Sequence, residues 1–158
     1  MTGFNAFQFT DDKERALSEG AQRVSTGAVA VVVPSRASES GLTAVFQHLF
    51  PLFPSEALEA MRQSGIFALS APGKLEEALA GAGLTIYEDT EIQTPVLFDS
   101  IDTSLRAFMG AGPTQMAVEH SGEQVVRDAA HDALKPFLSA GSVKLPPWYR
   151  VVFARPAA

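Results

Sequence analysis

The chain has 158 residues, 46% of them hydrophobic, with 12 Lys plus Arg against 18 Asp plus Glu and a formal charge of −6. That size fits a single domain, residues 1–158, with one substantial core. An acidic balance without a dense basic stripe argues against binding to a nucleic-acid backbone. The lack of cysteine excludes disulfides, thiolate metal sites and cysteine nucleophiles.

In chain order, Asp11-Asp12-Lys13-Glu14 reads as a helix start, with Asp11 as cap and Glu14 at capping-box spacing. The helix is expected to run to about Val24, presenting Leu17, Ala21 and Val24 on one face. Gly27 permits the turn into Ala28–Val33, a continuous apolar run that reads as a strand covered on both faces. Pro34, lacking an N–H, is expected to stop central pairing there. Leu42–Phe50 and Ser55–Arg62 read as short helices separated by Pro51 and Pro54.

Pro72 is suited to open the next helix, with Leu75, Leu79 and Ala82 on its apolar side. Gly81 and Gly83 end it before Leu84–Glu91, a predicted strand. Asp99–Met109 reads as helix, interrupted by Gly110, Gly112 and Pro113. Ser121 and Gln124 have capping-box spacing before a helix with the stripe Val126, Ala130, Ala133, Leu134 and Phe137. Trp148–Ala154 is the last predicted strand, after the rigid Pro146-Pro147 pair. No basic segment followed by an apolar core marks a signal peptide, and no apolar run is long enough to cross a bilayer. The expectation is a cytoplasmic protein without a membrane partner.

Candidate chemistry is sparse. His120, beside Glu119, is the first choice for a proton-transfer or ligand role, because imidazole titrates near neutral pH. A helix-entry hydrogen bond is the competing role. His131 sits among Arg127, Asp128, Asp132 and Lys135 and reads as part of a solvated face, whereas His48 sits in an apolar helix. The three histidines lack metal-ligand spacing, so no metal is expected. Asp99 and Asp102 share a helix turn and read as capping or solvated groups; Arg106 can pair with either or take an anionic ligand. The run Leu42, Val45, Phe46, Leu49, Phe50, Leu52, Phe53 packs as a cap helix or lines an apolar pocket.

The opening TGFNAFQF, the following ALSE helix, the strand AVAVVV and the later GLTIYEDTEIQTP resemble the second half of class I S-adenosylmethionine-dependent small-molecule methyltransferases. RAFMGAGPTQMAVEHSGEQVVRDA resembles their cap region, and KLPPWYRVVFARP their terminal strand. The resemblance covers nearly the whole chain. It departs from the family at Ser25-Thr26-Gly27, where a Pro-Gly-Gly turn is usual, and at Pro34, where a tryptophan often stands.

The resemblance implies an α/β fold: a truncated methyltransferase-like domain with a small mixed sheet and a helical cap, the cap elements lying at residues 35–70 and 96–140. The sheet is expected from Ala28–Val33, Leu84–Glu91 and Trp148–Ala154. Gly3, Phe4, Asn5 and Phe7 match residues that follow the family's fourth strand and approach cofactor or acceptor. Phe46, Phe50, Phe53, Phe108 and Trp148 are the expected substrate walls, with His120 as catalytic base. The family's glycine-rich cofactor loop and ribose-binding acidic residue have no counterpart in this sequence. The expected function is therefore a noncatalytic, hydrophobic small-molecule-binding or auxiliary protein derived from a methyltransferase, with no cofactor when alone. One alternative is a composite methyltransferase that uses S-adenosylmethionine once another chain completes the site; others are a cyclase-like enzyme and a protein-interaction module. A half-sheet exposes an edge, so a homodimer or a partner subunit is expected, with its interface on the Ala28–Val33 side.

Overall fold

A computed structural model describes residues 1–24 and 28–157 of the chain. The expected turn at Ser25-Thr26-Gly27 lies outside the described residues. The architecture is mixed α/β, and the chain forms two compact units. The first comprises Met1–Arg36, Ala60–Ile92 and Trp148–Ala158; the second comprises Ala37–Glu59 and Gln93–Pro147.

The first unit is built on β2 (Val29–Ser35), every residue of which is buried. It is flanked by β1 (Thr2–Phe4), parallel to it, and by β7 (Trp148–Pro156), antiparallel to it. β3 (Leu84–Gln93) lies beyond β7, giving the order β1-β2-β7-β3. The three expected strands are therefore neighbours. The fourth, β1, was not expected, because three residues are too few to show a period. The chain also corrects the reading of Pro34: β2 runs through it, with Pro34 opposite Tyr149. The N–H of Ala30 points toward β1 and bonds Met1 O at 2.9 Å. Pro34 has the same parity, so its missing N–H falls where β1 has already ended and no ladder bond is lost.

α1 (Lys13–Ala21) and α4 (Lys74–Gly81) pack together on one face of this sheet. Leu17 of α1 and Leu75, Ala78 and Leu79 of α4 join Val29, Val31, Val33, Leu84, Val152 and Ala154 in one buried cluster. Each such buried aliphatic side chain contributes about 1.5–3 kcal/mol. α1 is shorter than expected, and its cap is Asp12 rather than Asp11, accepting from Arg15 N at 2.9 Å. α4 starts two residues after Pro72, behind Gly73, whose φ of 81° a side chain would resist.

In the second unit α7 (Glu123–Leu134) touches α2 (Gly41–Leu49), α5 (Ile101–Met109) and α6 (Gly112–Ser121). Its buried stripe is Val126, Ala130, Ala133 and Leu134, as its spacing predicts. Helix α3 (Ser55–Ser64) lies in sequence between α2 and α4. Ser40 and Ser100 cap α2 and α5 by accepting from Thr43 N and Thr103 N. Ser121 does not cap α7: it ends α6 and donates to Leu52 O at 2.8 Å, and Gly122 with φ 89° makes the break instead. A second sheet, β4 (Val96–Phe98), β6 (Ser142–Leu145) and β5 (Leu138–Ser139), is antiparallel throughout.

Arg150 of β7 binds Asp89 of β3 and Glu76 of α4, at 2.5 and 2.7 Å. The hydrogen bonds from Arg150 are the main reason both carboxyls titrate below their ordinary range. Depressed carboxyl pKa values stabilise the fold above the ordinary carboxylate range, and that stability is lost as pH falls through the folded values. Arg150→Met should therefore lower the thermal midpoint most near neutral pH. The gap from wild type should close as pH falls below the ordinary carboxylate range, in melts followed by circular dichroism. A gap independent of pH would refute the assignment.

Candidate functional site

β1 and β2 form the parallel pair whose C-terminal ends open α/β sheets use for ligands. Asn5 N donates to Val32 O at 2.9 Å as the last rung of this ladder. The chain then turns sharply: Asn5 has φ 47°, in the left-handed region that asparagine enters more readily than most side chains. A short 3-10 turn follows at Phe7–Phe9. It folds the Phe7 ring back over Gly3, so a Cβ at Gly3 would fall on that ring. Gly3 thus serves this turn by admitting Phe7.

Two amides in this turn are unusual. Gln8 is 0% exposed, and neither its Oε1 nor its Nε2 has a hydrogen-bond partner among the described residues. Asn5 Oδ1 is likewise buried and unpartnered. Each buried polar group left unpaired costs roughly 1–3 kcal/mol, so the set is expensive to keep and ready to take donors and acceptors. Sequence reading singled out Asn5 and missed Gln8; the available signal was a lone amide between Phe7 and Phe9.

Around the ends of the parallel pair lie two further features. Ser70 Oγ donates to Pro34 O at 2.5 Å. Arg36, left-handed with φ 44°, stacks its guanidinium 4.3 Å from the Trp148 ring and bonds Glu91 at 2.7 Å. Hydrogen bonding from Arg36 holds the Glu91 carboxyl below its usual range. An open cleft of about 690 Å³ lies between the starts of α1 and α4, lined by Asp12, Lys13, Phe67, Leu69, Lys74 and Glu77 among others. Its lining mixes both signs of charge and selects no ionic ligand.

The expected wall residues fall in two places. Phe46 and Phe108 pack with ring centroids 5.5 Å apart, and Phe50 and Phe53 meet edge-on at 6.2 Å, all in the second unit. Phe53 and Phe108 are buried, whereas Phe50 is partly open. Trp148 belongs to the first unit, and one face of it is taken by Arg36. His120 is exposed in the last turn of α6, not ahead of a capped helix, and makes no hydrogen bond among the described residues. Asn5 and His120 lie in different units. Phe4 is 67% exposed. Asp102 is exposed, and Arg106 donates to Thr103 Oγ1 at 3.2 Å rather than pairing with either aspartate. His131 Nδ1 lies 3.8 Å from Asp132, and His48 is exposed. Among the described residues no group of three or more His, Asp or Glu is placed to hold a metal ion.

The fold is mixed α/β, with β1 and β2 as its parallel pair. No protein-family model and no curated protein matches the chain. Among solved structures 28 chains match. One is a protein of Bacillus halodurans C-125 with a provisional methyltransferase assignment, 12% identical with a TM-score of 0.50. The match covers 99% of this chain and 63% of that one, so this chain spans under two thirds of the length of the protein it resembles. No helix among the described residues is long and apolar enough to cross a membrane.

If the Gln8 amide is held for a ligand rather than for the fold, Gln8→Leu removes two unmet polar atoms at similar volume. Its stability in urea should equal or exceed wild type. A loss above roughly 1 kcal/mol would mean that the amide already has a partner such as a buried water.

Proposed function

We propose that this chain provides the acceptor side of an S-adenosylmethionine-dependent methylation of an apolar small molecule. The observation that carries the reading is the unpartnered set of Asn5 Oδ1 and the Gln8 amide at the C-terminal end of the parallel strands. They occur in a chain whose whole length follows a methyltransferase-assigned fold. Their neutral set, two acceptor oxygens and one NH₂ donor, fits part of a cofactor rich in amino, carboxylate and hydroxyl groups. S-adenosylmethionine, when bound, supplies an electrophilic methyl group.

In this reading Asn5 orients the reacting partners, Phe7 fixes the Asn5 turn through Gly3, and Phe4 offers an exposed ring on the cofactor side. The second unit has an apolar surface of its own, Phe46 and Phe50 backed by the buried Phe53 and Phe108, which suits an aromatic ligand. Trp148 stays with Arg36 at the edge. Because the donor set covers only part of such a cofactor, the chain alone binds acceptor without turnover. Transfer then needs a further cofactor-binding segment.

The test is calorimetric titration of the chain with hydroxylated polycyclic aromatics. Saturable binding is expected, weakened about tenfold by Phe46→Ala, or ~1.4 kcal/mol, and unchanged by His120→Gln. No methyl should pass from labelled S-adenosylmethionine with the chain alone. Absence of saturable binding to any such ligand would defeat the acceptor role.

A further inference from the structure

We propose that residues 6–10 form a lid over the Gln8 amide, swinging between this closed form and an open form in which that amide meets water. The attachment of the lid to the rest of the first unit is thin. Asn5 N still belongs to the sheet, through its bond to Val32 O at 2.9 Å. Beyond it the hydrogen bonds turn inward. Phe9 N donates to Ala6 O and Thr10 N to Phe7 O, both at 3.2 Å, and Thr10 Oγ1 adds a bond to Phe7 O at 2.8 Å. Lys13 Nζ then donates to Thr10 O at 3.1 Å. Among the described residues, every hydrogen bond of residues 6–10 stays within residues 6–13. The turn can therefore swing away with its own bonds intact, as a segment that opens locally does.

Packing holds the lid shut. The Phe7 ring lies so close over Gly3 that a Cβ there would fall on it, and Phe7 packs against the buried cluster that contains Leu17, Val29 and Val31. The Gln8 side chain works the other way. It is fully buried with both polar atoms unmet, and Asn5 Oδ1 is buried and unmet as well. Water would satisfy all three atoms in the open form, so the closed form carries a cost that the open form lacks. Ring burial and amide burial thus oppose one another, and their balance keeps the two forms close in free energy. Asn5 is the hinge at one end, a non-glycine residue at φ 47° where the chain leaves β1. Asp12, whose side chain caps α1 through Arg15 N, fixes the other end.

The lid also controls access. In the closed form both polar atoms of the Gln8 side chain are out of contact with solvent, so no ligand reaches them without this motion. Capture of a ligand at the turn then draws on the open form, and the apparent affinity falls with the open fraction. In this use the lid rests on the reading of the turn as the ligand site; the motion itself does not.

The experiment is ¹⁵N relaxation dispersion on the ligand-free full chain, beside Gln8→Leu, Gly3→Ala and Phe7→Ala. The wild type should show a shared exchange process across the amides of residues 6–10 and the Gln8 NH₂ group, with none along β2. Gln8→Leu removes the unmet amide and should lower the open fraction about fivefold or more. Gly3→Ala displaces the Phe7 ring and Phe7→Ala removes it, so each should raise that fraction by about the same factor. Should Gly3→Ala fail to fold, Phe7→Ala, which leaves the strand untouched, decides on that side. A wild type without exchange in the turn overturns the lid. So does exchange that reaches β2, a Gln8→Leu chain that opens as often as wild type, or a Phe7→Ala chain that opens no more often. None of these outcomes decides the ligand reading, which titration with ligand present tests on its own.

Discussion

The structure depends on the complete burial of β2. Seven consecutive residues, Val29–Ser35, are out of solvent, so the strand must have a neighbour on each edge and cover on each face. β1 and β7 supply the edges, and the α1–α4 pair covers the face that carries Val29, Val31 and Val33. The mixed orientation follows from connectivity: the β1-α1-β2 passage is long enough for a parallel return, and β7 arrives antiparallel from the other end of the chain. Once β1 is held parallel to β2, the turn after Phe4 must emerge at the C-terminal ends of both strands. The location of the Asn5 turn is thus a consequence of the core.

The polar groups of this unit divide into satisfied and unsatisfied sets. Arg150 meets the carboxylates of Asp89 and Glu76, and Arg36 meets that of Glu91 and an indole face. These partly exposed contacts tie β7 to its neighbours at small gain each. Asn5 Oδ1 and the Gln8 amide are the opposite case, buried and unmet. A fold tolerates such groups when something other than stability retains them, which is why the left-handed Asn5 and the buried Gln8 carry more functional weight than the exposed His120.

The long elements were legible because their patterns are strong. The unbroken apolar run before Pro34 announced a doubly covered strand, and the α7 stripe announced a buried helix face. β1 was not legible, since three residues carry no periodicity; only pairing with β2 makes them a strand. α6 was hidden because Gly110, Gly112 and Pro113 read as an interruption, whereas Pro113 sits in the first turn of a new helix. That helix moved His120 from an expected entry position to a final turn. The aromatic residues could be found but not placed: helical spacing does not separate a core phenylalanine such as Phe108 from a half-open one such as Phe46. Gln8 was invisible because burial of a single polar residue is a property of tertiary packing.

A likeness at 12% identity establishes the fold and leaves the chemistry to the site itself. The central claim is that the Asn5–Gln8 turn, at the ends of β1 and β2, is where ligand is met. Side-chain amide resonances report on it directly, in ¹⁵N-labelled chain titrated with S-adenosylmethionine and, separately, with a hydroxylated polycyclic aromatic. The account predicts that the Asn5 and Gln8 NH₂ signals shift first and saturate with at least one of the two ligands, while signals of β3 stay fixed. Saturating shifts confined to other residues, with both amides unmoved, would contradict it.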